Sequence, residues 1–194
     1  VTLPIRMPPH AIHGTVFDRS WQESGPQQLE STLGDQWPWQ ATVRSRFSME
    51  PECFHWEITV SSEDKLMPVV LGWHPWFRKR LADGSHTTLH FNADEMYLRG
   101  ADGIPSGAKS SPSKGPWDDC FTGVSVPPQI RWSNGLCLEV SSTCDYWVVY
   151  DEPDHALCVE PQSGPPDGFN QDHYAVVQPG SPLTHTMTWR WWRE

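Results

Sequence analysis

A carboxylate, two imidazoles and a pair of adjacent acids stand where a chain could present them to a ligand. Glu160 follows the apolar run Ala156 to Val159 and opens the stretch Pro161-Gln-Ser-Gly-Pro-Pro-Asp-Gly-Phe-Asn170. A strand end pinned by proline holds its side chain rigidly while leaving it facing a cleft. A carboxylate so placed can act as a general base, or it can be no more than the polar end of a strand. His74 lies in Gly72-Trp-His-Pro-Trp-Phe77. The residue before proline is biased to an extended backbone, so this ring projects from a strand end between two indoles. It reads equally as a proton donor and as a packed core histidine. His13, in His10-Ala-Ile-His-Gly14, sits before a glycine that allows a tight turn, and it is either a turn residue or a ligand contact. Asp118 and Asp119 follow a run rich in Gly, Ser and Pro at 100–115, and they are turn residues or hydroxyl acceptors.

The elements that must position these groups are strands. Phe54, Trp56, Ile58 and Val60 alternate with His55, Glu57 and Thr59, and residues 40–47 alternate as well. A period of two marks half-buried strands, and Met49-Glu-Pro-Glu52 between them predicts a hairpin. Asn134-Gly135, flanked by Ile130 and Trp132 on one side and Leu136, Leu138 and Val140 on the other, is a two-residue hairpin signal. Further strands are expected at 69–72, 87–91, 95–98, 145–150 and 156–159. A last one carries His185, Met187, Trp189 and Trp191 on one face. Residues 1–20 read as loop, 24–35 as a polar stretch with only weak helical spacing, and 100–115 as a loop too long for a turn. Many short antiparallel strands with almost no helix predict an all-β sandwich or barrel, in one domain over residues 1–194.

Composition narrows the function. The formal charge of −10 argues against nucleic acid and anionic membranes, which need basic patches. No apolar run approaches the roughly 18 residues of a membrane span. Five cysteines without a C-x-x-C pair fit neither a disulfide framework nor a zinc site, and are read as reduced thiols of a cytoplasmic protein. Twelve tryptophans fit an aromatic-rich core, a cleft in which indoles pack on the C–H faces of a sugar, or both.

Four of these stretches resemble, in order, the aldose 1-epimerases (galactose mutarotases). They are His10-Ala-Ile-His-Gly14 with Trp21, Gly72-Trp-His-Pro-Trp-Phe77, Asp118-Asp-Cys-Phe121, and Val159-Glu-Pro-Gln-Ser-Gly-Pro-Pro-Asp-Gly-Phe-Asn170. The resemblance spans residues 10–180 and implies a large antiparallel β-sandwich, the galactose mutarotase-like supersandwich. It implies Glu160 as general base, His74 as general acid, and His13, Trp76 and one of Asp118 and Asp119 as contacts to a hexose. It implies no metal or cofactor. The chemistry suits these groups: anomers interconvert when a proton leaves the C1 hydroxyl and another reaches the ring oxygen, and both transfers reverse on ring closure. Relatives in the family begin further upstream, with a loop that gives an arginine to the sugar, so an N-terminally truncated form is expected. Trp76 stands where many relatives have Tyr, and Arg78 where Asn is common.

Three other readings fit the same residues. A hexose-6-phosphate 1-epimerase would hold its phosphate on Arg78-Lys-Arg80. A glycosidase would pair Glu160 with Asp118, with no histidine between the two carboxylates. A non-catalytic carbohydrate-binding sandwich would keep the tryptophans without gathering His74 and Glu160. A metal-binding cupin is disfavoured by the lack of a His-x-His pair.

Overall fold

The computed structural model describes residues 3–194, which form sixteen strands and, among the described residues, no helix. In chain order they are β1 (Gln22–Gly25), β2 (Gln28–Thr32), β3 (Ala41–Glu50), β4 (Cys53–Ser62), β5 (Met67–Val69) and β6 (Trp76–Arg78). There follow β7 (Thr87–His90), β8 (Glu95–Arg99), β9 (Pro105–Ser110), β10 (Asp118–Thr122) and β11 (Gln129–Trp132). The last are β12 (Leu136–Ser142), β13 (Tyr146–Tyr150), β14 (Ala156–Gln162), β15 (Ala175–Val177) and β16 (Leu183–Arg193).

The chain forms two compact units, each assembled from three stretches. The first comprises Val1–Ser48, Trp56–Val69 and Ala175–His185. Here β1, β2 and β3 form an antiparallel meander, in register from Gln22↔Glu30 to Thr32↔Thr42, with a bulge between Glu23 and Gly25. The polar stretch at 24–35 is thus a hairpin, not a helix. Every residue of β1 and β2 is at least partly exposed, so neither strand shows an apolar alternation. Ala41, Val43 and Ser45 bury one face of β3, and the Trp56 indole donates to Ser45 Oγ at 2.7 Å. β5 pairs with β15 in a separate two-stranded ladder.

The second unit, Met49–His55, Val70–Tyr174 and Thr186–Glu194, is a sandwich of antiparallel sheets. One layer is six-stranded, in the order β6-β14-β13-β10-β8-β9; the other contains the run β16-β12-β11-β7. Between them Ala93, Met96, Phe121 and Val149 form a buried cluster, closed by Leu89, Phe91, Trp117 and Val124. The Phe77 ring meets Trp189 edge-on at 5.3 Å. Burying each large apolar side chain here is worth about 1.5–3 kcal/mol, which is what holds the two layers face to face.

The β11–β12 hairpin turns at Asn134-Gly135, with Gly135 at φ 84°. Asn134 Oδ1 accepts the Leu136 N–H at 3.1 Å, and its Nδ2 donates to Asp83 at 2.7 Å. Two expectations need correction. The loop expected at 100–115 contains β9, an edge strand whose Pro105 and Gly107 hide it from any pattern of alternation. The strand expected at 69–72 ends at Val69, and Gly72 instead makes an isolated bridge to Gln162.

Candidate active site

The six-stranded sheet sorts its residues by face. Cross-strand partners point the same way and neighbours along a strand point opposite ways. Phe77, Leu157, Val159, Trp147, Val149 and Phe121 belong to the face that is buried in the sandwich. The other face carries two rows of paired residues. One runs Trp76, Cys158, Tyr150, Asp118, and the next runs Glu160, Val148, Cys120. Glu160 and Asp118 are therefore on one side of the sheet, and Asp119 is on the other. Sequence reasoning could not separate the two aspartates, because both precede the same apolar run; the register does so.

Glu160 is 4 % exposed, near the middle of β14 and not at its end. Its Oε1 lies 3.3 Å from His74 Nδ1, and Gln162 Nε2 donates to Oε2 at 3.4 Å. Burial is the main cause that pushes its carboxyl up to about 8; the Asp118 charge adds to this, and hydrogen bonds from Cys158 and Gln162 oppose it. His74 is brought here by the Gly72 bridge. A Cβ at Gly72 would meet Gln162 Cγ at 2.8 Å and the Pro161 carbonyl at 2.9 Å, so only glycine lets this segment lie against β14. Trp73 N–H then donates to the Pro161 carbonyl at 3.1 Å, which fixes the residue next to His74.

The loop after Glu160 is packed as tightly. Cβ atoms at Gly164 and Gly168 would lie 2.5 and 2.6 Å from the His173 carbonyl. Ser163 also holds Leu71 from both sides, its N–H donating to the Leu71 carbonyl and its hydroxyl accepting the Leu71 N–H. The glycine and proline pattern that marks the stretch in sequence is thus a close-packing requirement.

Trp76 is 49 % exposed, and its indole stacks with His74 (5.5 Å, 17°) and His155 (6.3 Å, 9°), with Tyr150 edge-on at 5.8 Å. By contrast, Trp37, Trp73, Trp132 and Trp147 are buried, so the tryptophans serve both the core and this face. Arg99, which sequence reasoning missed, binds Asp118 at 3.2 Å and Asp119 at 3.0 Å. Cys158 was also missed. Its position two residues before Glu160 on one strand is the signal that puts both on the same face. Its Sγ lies 3.5 Å from His74 Nδ1, and burial with the neighbouring carboxylate pushes its thiol far up. Among the described residues, His74, Cys158 and Glu160 also form a group of possible metal ligands, with donor atoms within 4.8 Å of one another. All five cysteines are free thiols.

His13 belongs to the first unit, where it is exposed, adopts φ 68° and meets Phe17 edge-on at 5.2 Å. The residues gathered in the second unit are His74, Trp76, Asp118, Cys158 and Glu160.

The chain's fold has been seen before. It superposes on a candidate aldose 1-epimerase from Escherichia coli K12 with TM-score 0.81 at 17 % identity, covering 99 % of this chain and 75 % of that one. A galactose mutarotase-like protein from Clostridium acetobutylicum gives 0.83 at 12 % identity, covering 95 % and 70 %. An aldose epimerase homologue from C. elegans gives 0.70 at 17 %, covering 90 % and 69 %. These identities carry the fold alone. No curated protein sequence matches the chain. The sequence pattern of the family described as aldose 1-epimerase, however, matches residues 1–190. By that match, which takes in nearly the whole sequence, the chain belongs to the aldose 1-epimerase family.

Proposed function

We propose that this protein interconverts the α and β anomers of an aldose, with Glu160 as general base and His74 as general acid. The observation that carries this reading is the contact between a buried carboxylate and an imidazole at 3.3 Å. The two oxygens that exchange protons in mutarotation are bonded to the same carbon, so their acid and base must be close neighbours. Glu160 takes the proton of the C1 hydroxyl while His74 delivers one to the ring oxygen. The ring opens, the carbonyl turns over, and both transfers reverse on closure. Asp118, on the same face, accepts a sugar hydroxyl, and the exposed part of Trp76 packs on the sugar's C–H surface.

Glu160 Oε1 faces an imidazole at 3.3 Å, which supports an epimerase over a glycosidase with two facing carboxylates. Of the three basic residues suggested for a phosphate, Lys79 is already bonded to the Asp151 carbonyl, which favours an unphosphorylated sugar. Polarimetry on freshly dissolved α-glucose, α-galactose and their 6-phosphates tests the proposal. The expected result is optical rotation that equilibrates faster than the spontaneous rate for at least one free sugar. Unchanged rates with all four compounds overturn it.

A further inference from the structure

Proton exchange with a sugar uses His74 and Glu160 but gives no task to Cys158. The thiol nonetheless completes a set of three different donors. Its Sγ is 3.5 Å from His74 Nδ1, and Glu160 Oε1 is 3.3 Å from that same nitrogen. All three donor atoms lie within 4.8 Å of one another. A tetrahedral Zn²⁺, with bonds of about 2.0–2.3 Å to nitrogen, oxygen and sulfur, spaces its ligand atoms about 3.3–3.6 Å apart. Two of the three edges already have that length.

We propose that His74, Cys158 and Glu160 form a three-ligand site for Zn²⁺ or a similar borderline divalent cation, with the fourth position open. Cys158 and Glu160 alternate onto one face of β14, so their spacing is fixed by a strand that is paired on both sides. Gln162 occupies Oε2 and leaves Oε1 as the ligand, the kind of outer support that orients a metal-bound carboxylate. His74, 34 % exposed at its side chain, provides the entry path. Thiolate, carboxylate and neutral imidazole together carry −2, which matches the ion. Binding releases the thiol proton, and any proton on Glu160, to solvent; nothing is oxidised or reduced. The ion takes the lone pairs that the acid and base need, so it is an inhibitor of the activity proposed above. Inhibition rests on that reading; binding does not.

The test uses the reduced, chelator-treated protein, titrated with Co²⁺ and followed by the near-ultraviolet thiolate-to-cobalt absorption. One Co²⁺ per chain is expected, displaced by Zn²⁺. The absorption should vanish in Cys158→Ser and persist in Cys53→Ser, whose thiol faces His55 Nε2 at 3.2 Å and offers only a two-ligand pair. Should Cys158→Ser fail to fold, His74→Ala at its exposed position must weaken cobalt binding instead. No absorption in the wild type, survival of it in Cys158→Ser, or its loss in Cys53→Ser overturns the site. In parallel polarimetry, Zn²⁺ should slow mutarotation and a chelator restore it. Activity unaffected at saturating Zn²⁺ overturns the inhibitory role. Cobalt binding without any mutarotation sinks the epimerase reading and leaves the metal site standing.

Discussion

Glu160 and Asp118 are the same kind of group on the same face of one sheet, yet the sheet treats them differently. Glu160 rises from a strand paired on both sides and is sealed to 4 % exposure by its neighbours. Asp118 opens its strand, with a side chain 48 % exposed, and is matched by Arg99. Losing water is what moves the Glu160 carboxyl up to about 8, far beyond what its hydrogen bonds can offset. An exposed ion pair such as Arg99–Asp118 is worth about 0–1 kcal/mol. Depth in the sheet, rather than residue type, therefore separates a group suited to taking a proton near neutrality from one suited to holding a hydroxyl.

The contrast breaks most completely at its buried end. Glu160→Gln keeps the shape and the Gln162 contact but cannot accept a proton, and polarimetry should show turnover falling about 10²–10⁴-fold. His74→Asn removes the donor and should cost a comparable or smaller factor. The double variant should lose less than the product of the two, because one transfer without the other leaves a charged ring.

Depth also predicts how stability follows pH. A carboxyl at 4.5 when unfolded and about 8 when folded holds its proton more tightly in the native state. Stability from this group is therefore fully present below pH about 4.5 and declines as pH rises through about 8. Denaturant melts of wild type and Glu160→Gln should diverge over that window, the variant being the more stable at the alkaline end by up to several kcal/mol. Parallel pH slopes would mean that Glu160 is not held protonated by burial. The exposed end gives the smallest effect: Asp118→Asn should raise KM several-fold, with kcat within about tenfold of wild type. An equal collapse of kcat would erase the distinction between the two carboxylates.

Strands that bury one face and end in a standard turn were readable from sequence. β4, the Asn134-Gly135 turn and β13 lie within a residue or two of expectation, and β3 runs on past Phe47 to Glu50, into the expected turn. Those that escaped are of two kinds: β1, β2 and β9 have polar residues on both faces or carry Pro and Gly, and β6, β10 and β15 are too short to show a period. Within the site, Glu160 and His74 were legible because glycine and proline flank them. Arg99 and Gln162 were not, since a charged or polar residue in a strand acquires a role only through its cross-strand neighbours. Cys158 could have been found by counting back two residues from Glu160.

The Asn134-Gly135 turn has a consequence for how the molecule ages. Asparagine before glycine is the dipeptide most prone to deamidate, through attack of the following backbone nitrogen on the side-chain carbonyl carbon. Here that nitrogen donates to the Trp132 carbonyl at 3.0 Å, while the asparagine amide is engaged at its oxygen by Leu136 and at its nitrogen by Asp83. Nucleophile and leaving group are both tied down, so the folded turn shields the bond that the unfolded chain would surrender first. Conversion of Asn134 to aspartate or isoaspartate thus becomes a chemical record of how often this hairpin opens.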